Sequence, residues 1–514
     1  MRLRKFLALL VLTVHAAVAQ AEDDGVPRSR IAALAAARPA AYEMSWAPMR
    51  TPSGQRMAWL GASYLVALDD DWGVGPTVYG SARGNFGGIF AGGFTVQRRW
   101  RMTPNSHLAT GLYLGAGGGV SSDSLRFGGG LMLRPEISLR SEFGAWYSGL
   151  SLAYTRFPSG NVRGSSVAFV LGRSGRFDSF AASDVGLPGR SGARTGMGFD
   201  EISLSAAVYS PRSSSRSRDG QTLARHIGKA GADLRQYIGP GAWWGIEASG
   251  AAKGGADGYM EILGSLGQDW ALGASGLRLG GQLSLGLGGG GNLDTGNGWL
   301  MRAGPSLRWQ SPWGAGLRLD GGLLKAPSGH FSASYARLSL SMPLESAVPA
   351  DSYGDSWGRT ATVRGQSVFA SIQHLSKVRF KDGSQASMGQ LGVRLVRELS
   401  PSIYGTAQAG TAAFGHAGAY AYGLFGAGLQ SRPLNALGST RVGLEALLGA
   451  GGGGGVALGS GALMQTEAWL QWGEANENLR VRLGVGQWRG LRSGTASSPI
   501  LSLSLGYAFG VLQP

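Results

Sequence analysis

Residues able to do chemistry are sparse in this chain, and three groups are spaced so that they could act together. His374-Leu375-Ser376 places imidazole and hydroxyl at i and i+2, the same face of a strand, which is the placement a histidine-activated serine needs. The stretch that would pair with it, around Ser384 to Gln390, offers Gln385 and Gln390 but no carboxylate to orient the imidazole. No catalytic residue is therefore assigned, and the chain is read as a non-enzyme. Asp69-Asp70-Asp71 carries the hard oxygen donors that calcium takes, but consecutive side chains do not converge without a dedicated loop, so a solvated turn is expected. Cysteine is absent and no histidines fall at a His-x-x-x-His spacing, which leaves no metal site, cofactor or disulfide to expect.

The third group recurs. Leu133-Arg134-Pro135-Glu136-Ile137-Ser138-Leu139-Arg140, Met301-Arg302-Ala303-Gly304-Pro305-Ser306-Leu307-Arg308 and Met464-Gln465-Thr466-Glu467-Ala468-Trp469-Leu470-Gln471 share an alternation of largely apolar with largely polar positions. A period of two marks a strand whose faces meet different solvents. Arg134, Glu136, Arg140, Arg302, Arg308, Gln465, Glu467 and Gln471 then point inward at equivalent heights. Around an open lumen they would decide which ions pass; in a narrow one they would fill the interior as an ion-pair network.

These stretches belong to three related segments, at about 42–174, 197–344 and 357–510, joined by Gly/Ser/Ala/Pro-rich linkers at 175–196 and 345–356. Each segment has a turn before an aromatic (Gly75-Pro76 with Tyr79, Gly239-Pro240 with Trp243, Ser400-Pro401 with Tyr404) and a strand that runs into glycine (Gly117-Gly118-Gly119, Gly288-Gly289-Gly290, Gly451-Gly452-Gly453). Each closes with a hairpin at Pro158-Ser159-Gly160, Pro327-Ser328-Gly329 or Arg492-Ser493-Gly494. About eight strands fit in each segment, each long enough to cross a hydrocarbon layer when tilted. The expected fold is all-β, a transmembrane antiparallel barrel of about 24 strands, with three separate eight-stranded barrels as the alternative.

Before the first segment, Arg2, Arg4 and Lys5 precede an apolar run from Phe6 to Val14 and then Ala19-Gln20-Ala21, the order of a secretory signal peptide spanning 1–21. Residues 22–41 follow as a periplasmic leader, in which Ser29 to Arg38 read equally as a short helix or partial plug and as a disordered stretch. Hydrophobic residues make up 43% and charged ones 15%, with 89 glycines, a balance that suits strands and tight turns. The formal charge is +16 and only six residues are lysine, so the excess is arginine, which pairs with phosphate and carboxylate. Export excludes nucleic acid and favours membrane lipid and lipopolysaccharide as partners. Trp72, Tyr79, Trp146, Tyr154, Trp243, Trp309, Trp313, Tyr404 and Trp472, near expected strand ends, read as interfacial girdles.

The last strand, Pro499 to Phe509, alternates apolar residues and ends Tyr507-Ala508-Phe509. It resembles the C-terminal strand of bacterial outer-membrane β-barrel proteins, although five residues follow the phenylalanine. The resemblance implies an outer-membrane location and recognition of Tyr507 and Phe509 by the barrel-insertion machinery. His374-Leu375-Ser376 likewise resembles the His-x-Ser of outer-membrane phospholipases and lipid A deacylases. The function expected is a channel or exporter, for anionic solutes or polysaccharide, with a periplasmic export partner if it secretes. A non-conducting structural or adhesive protein is the second reading, and a lipid hydrolase the third.

Overall fold

The computed structural model describes residues 32–119, 125–273, 275–311, 314–344, 361–434, 439–473, 477–492 and 495–513. The expected signal peptide, the first ten residues of the leader, the linker at 345–356 and Trp313 lie outside them.

Eight strands, Ala36–Arg50, Arg56–Ala67, Trp72–Arg83, Phe90–Thr103, Ser106–Gly118, Leu131–Phe143, Trp146–Arg156 and Arg163–Ser179, form a closed antiparallel barrel. A second closed barrel runs from Glu201–Pro211 to Ser332–Pro343. The third runs from Ala361–Arg379 to Ser497–Gln513, which pair with each other from Thr362 against Gln513 to Leu375 against Ile500. The expectation of one large barrel is thus corrected to three small ones. Two physical reasons favour local closure. An even strand count leaves the first and last strands of each segment antiparallel and free to pair, and joining edges within one segment closes a far shorter loop than joining the chain's two extremes. Eight strands also enclose a space that side chains just fill, and the inward positions here carry Arg, Tyr and Trp.

Side chains alternate across every barrel wall. Along Trp146–Arg156, Leu150 and Leu152 face out, 60% and 57% exposed, while Ser151, Ala153 and Thr155 are buried inside. The outer surface is therefore apolar and the interior polar. The barrel ends where the chain enters and crosses between barrels carry tight turns such as 104–105 and 144–145. The opposite ends, called far here, carry longer connections such as 212–226 and 290–298.

Several local expectations are revised. The alanine-rich stretch before Pro39 is not helical: Ala33–Leu34 and Ala36–Arg50 are strands, because pairing with neighbours outweighs the helix propensity of alanine. Gly75-Pro76 is not a turn but lies inside Trp72–Arg83, the actual turn being made by Asp69, whose Oδ1 accepts from the amides of Asp71 at 2.9 Å and Trp72 at 2.7 Å. Gly75-Pro76 is therefore out of register with Gly239-Pro240 and Ser400-Pro401, which do precede their strands. The stretch 175–196 is no loose linker. Arg163–Ser179 extends into it, Phe180 exchanges backbone hydrogen bonds with Gly510 at 2.9 Å, and Pro188–Arg190 pairs with Ala361 and Thr362 of the third barrel.

Candidate functional site

Two arrangements are candidates, the barrel interiors and the contacts between barrels. In the first barrel Arg140 Nη1 lies 2.6 Å from Glu43 Oε2, which also accepts from the Tyr147 hydroxyl at 3.0 Å. Arg134 donates to the Tyr79 hydroxyl and to Thr155 Oγ1, both at 3.2 Å, and its guanidinium stands 5.1 Å above the Tyr79 ring. Glu136 sits between the two arginines, 3.9 Å from each. A cavity of about 30 Å³ at the end where the chain enters, lined in part by Pro39, Gln97, His107, Arg140 and Tyr147, has room for about one water.

The middle barrel holds the densest network. Arg302 grips Glu247 with two bonds, 2.8 Å and 2.5 Å, and Arg337 reaches the same carboxylate. Arg318 bonds Asp233 and Asp320 at 3.0 Å, Arg308 bonds Glu201 and Tyr237, and Lys229 bonds Glu261. In the third barrel Arg394 lies 3.0 Å from Glu445 and 2.9 Å from Glu467, while Arg482 takes Gln471 at 2.9 Å and Gln465 donates to Glu467 at 3.1 Å.

All eight residues expected to point inward lie on the inner face, at equivalent positions along their strands, but in three separate lumens rather than around one ring. Their partners Glu43, Glu201, Glu247, Arg394 and Arg482, and Arg337, Asp320 and Glu445 that extend the networks, are not singled out by the sequence. The alternation that marks them is present, as in Arg318-Leu319-Asp320 and Arg480-Val481-Arg482, but nothing local says which strands become neighbours.

The charges nearly cancel within each barrel. Arg134 and Arg140 face Glu43 and Glu136, and Arg394, Arg480 and Arg482 face Glu445 and Glu467. In the middle barrel Lys229, Arg235, Arg278, Arg302, Arg308, Arg318 and Arg337 face Glu201, Asp233, Glu247, Glu261, Asp269 and Asp320. Near-neutrality is what a packed ionic interior requires, because an uncompensated buried charge is costly.

The aromatics divide. Trp72, Trp146, Tyr154, Trp309 and Trp472 are exposed on the outer wall, as a girdle needs. Tyr79, Trp243 and Tyr404 are instead buried inside, where Arg235 lies 3.6 Å over Trp243 and Arg482 lies 5.9 Å over Tyr404. Inward arginines draw these rings in, since a stacked guanidinium keeps a favourable contact when it loses water. His374 and Ser376 both face outward, and no hydrogen bond joins them among the described residues.

Between barrels, the glycines do the positioning. The loop after the third strand of each barrel (83–90, 253–260 and 414–421) seats on the glycine run and return loop after the fifth strand of the next. Gly87 donates to Gly296 O at 2.9 Å, joining the first barrel to the second. Gly258 abuts Gly452 and Gly453, and Lys381 lies 2.9 Å from Asp257, joining the second to the third. Gly418 donates to Gly128 O at 3.0 Å, joining the third back to the first. One kind of head-to-tail contact, repeated with a rotation that closes after three, gives a pseudo-threefold ring within one chain. Arginine and aromatic contacts support it at the other end, where Phe509 meets Phe177 edge-on at 5.1 Å and Arg38 lies 5.5 Å over Tyr507. The two residues of the expected insertion signal thus seal the third barrel and touch the first.

Closed antiparallel barrels, apolar outside and polar inside, with an even number of strands, are the outer-membrane β-barrel class. No family model and no curated protein matches the chain. Among solved structures it is similar to Pseudomonas aeruginosa OccK5 (OpdH), at 9% identity over 92% of this chain and 98% of that one, with a TM-score of 0.22. OccK2 (OpdF) from the same organism, solved in complex with glucuronate, matches at 10% identity over 93% and 98%, also with a TM-score of 0.22. Likeness at that level carries neither architecture nor function across.

Proposed function

We propose that this chain resides in a bacterial outer membrane as a ring of three narrow barrels whose lumens stand shut, so that it anchors and shapes rather than forming a wide pore. The observation that carries this is the near-neutral ion-pair network occupying each interior. A polymer such as polysaccharide needs more width than eight strands leave. The reading assigns no catalytic step, and it expects the terminal strand to be handled by the barrel-insertion machinery. Reconstituted into planar bilayers, the folded chain is expected to give no stable conductance of the size a wide water-filled lumen passes. Persistent large openings overturn the proposal.

A second reading is a narrow anion-selective channel through the middle barrel. Arg318 Nη1 and Arg235 Nη2 are buried there without a hydrogen-bond partner, and buried donors in that position are ordinarily met by water. The same recordings separate the two readings: a small, anion-selective conductance that changes with Arg318→Gln supports the channel.

A further inference from the structure

Because the barrel interiors are nearly neutral, the arginine excess of the chain must lie outside them. Part of it is concentrated on the far rim of the first barrel. Arg50 ends one strand and Arg56 begins the next, directly opposite in register; Arg156 and Arg163 are opposite each other in the same way. Ala36–Arg50 and Arg163–Ser179 are hydrogen-bonded neighbours, so the four arginines occupy four consecutive strands. All four are exposed and continue the outward face, above Tyr154 and Val167, which are 40% and 60% exposed. None makes an ion pair with a described residue. Like charges directly opposite each other across strands are destabilising unless an anion lies between them.

We propose that this patch binds the phosphates of a phosphorylated glycolipid in the outer leaflet, an assignment that rests on the outer-membrane reading above. The guanidinium fork matches phosphate oxygens, and the apolar wall immediately below matches acyl chains, which a free anion would not use. A salt-sensitive contact at the headgroup level follows.

The test uses the full chain, folded in detergent micelles, with its folded state checked first by the shift in gel mobility on heating. Bisphosphorylated lipid A is titrated against wild type and against a variant carrying Arg50→Gln, Arg56→Gln, Arg156→Gln and Arg163→Gln. Expected is saturable binding that weakens about tenfold or more in the variant, and by an intermediate amount with Arg156→Gln and Arg163→Gln alone. Arg379→Gln with Arg489→Gln, on the rim of the third barrel, should leave it within about twofold. Equal binding of the same lipid stripped of its phosphates, or unchanged binding by the fourfold variant, overturns the site. Competition by inorganic phosphate at concentrations comparable to the lipid overturns the lipid assignment. A chain that stays folded and soluble without detergent instead defeats the membrane reading beneath it.

Discussion

Glu247→Ala is expected to destabilise the middle barrel by about 3–5 kcal/mol, the loss typical of removing one partner from a buried ionic cluster. The carboxylate is 3% exposed and is held by two guanidiniums, those of Arg302 and Arg337. Its removal leaves Arg337 to Asp320 alone among the carboxylates and Arg302 with only Ser284 at 3.4 Å and Glu261 at 3.9 Å, and alanine supplies no substitute. Asp71→Ala is the comparison. That aspartate meets Arg98 at 3.6 Å with about half of each side chain in solvent, and its loss should cost under about 1 kcal/mol. Urea titration of the protein in micelles, read by the heat-dependent gel shift and by tryptophan fluorescence, measures both. A Glu247→Ala loss as small as that of Asp71→Ala would mean that water already fills the lumen, which would shift the balance toward the narrow channel.

The second large effect is expected from Gly88→Val. Gly88 has φ +91°, a conformation β-branched residues avoid, and an added Cβ would lie 2.2 Å from the backbone nitrogen of Gly290 in the next barrel. A backbone atom cannot rotate away, so the contact must open, at a cost of a few kcal/mol once overpacking and the strained φ are counted. Each barrel keeps its own hydrogen bonds and stays folded; what is lost is the docking of the first onto the second. Because the chain has no cysteine, a pair introduced at the loop positions Asn85 and Asn297 can carry spin labels without background. A narrow distance distribution in the parent should broaden and lengthen in Gly88→Val. Gly92→Ala, where an added Cβ meets nothing within 4 Å, should leave the distribution unchanged. Gly258→Val, at the equivalent position between the second and third barrels, should open that joint instead.

These variants also mark the boundary between what was legible and what was not. The alternation at 133–140, 301–308 and 464–471 located the inward residues, because a strand has only two faces and the apolar one must meet lipid. The glycine runs at 117–119, 288–290 and 451–453 carried little meaning as composition, since glycine is common throughout the chain. Their role emerges only when a neighbouring loop is seen to approach their backbones closely enough to exclude a Cβ. Tyr79, Trp243 and Tyr404 were placed on the wrong face for a related reason: an aromatic near a strand end suits a membrane girdle, and only the arginines on other strands, such as Arg134 beside Tyr79, show why these three turn inward.

From the residues alone came the strand class, the number of strands per segment, the threefold repetition and the polar character of the inner face, all of which are properties of period and spacing along one chain. Only the tertiary structure decided that the sheet closes three times rather than once, which acid meets which arginine, and that the barrels dock in a ring. Backbone hydrogen bonds at a strand edge do not depend on side-chain identity, so the sequence does not label which edge joins which. That choice is settled by packing across strands more than a hundred residues apart, where the volume of eight-stranded interiors and the charges inside them have to match.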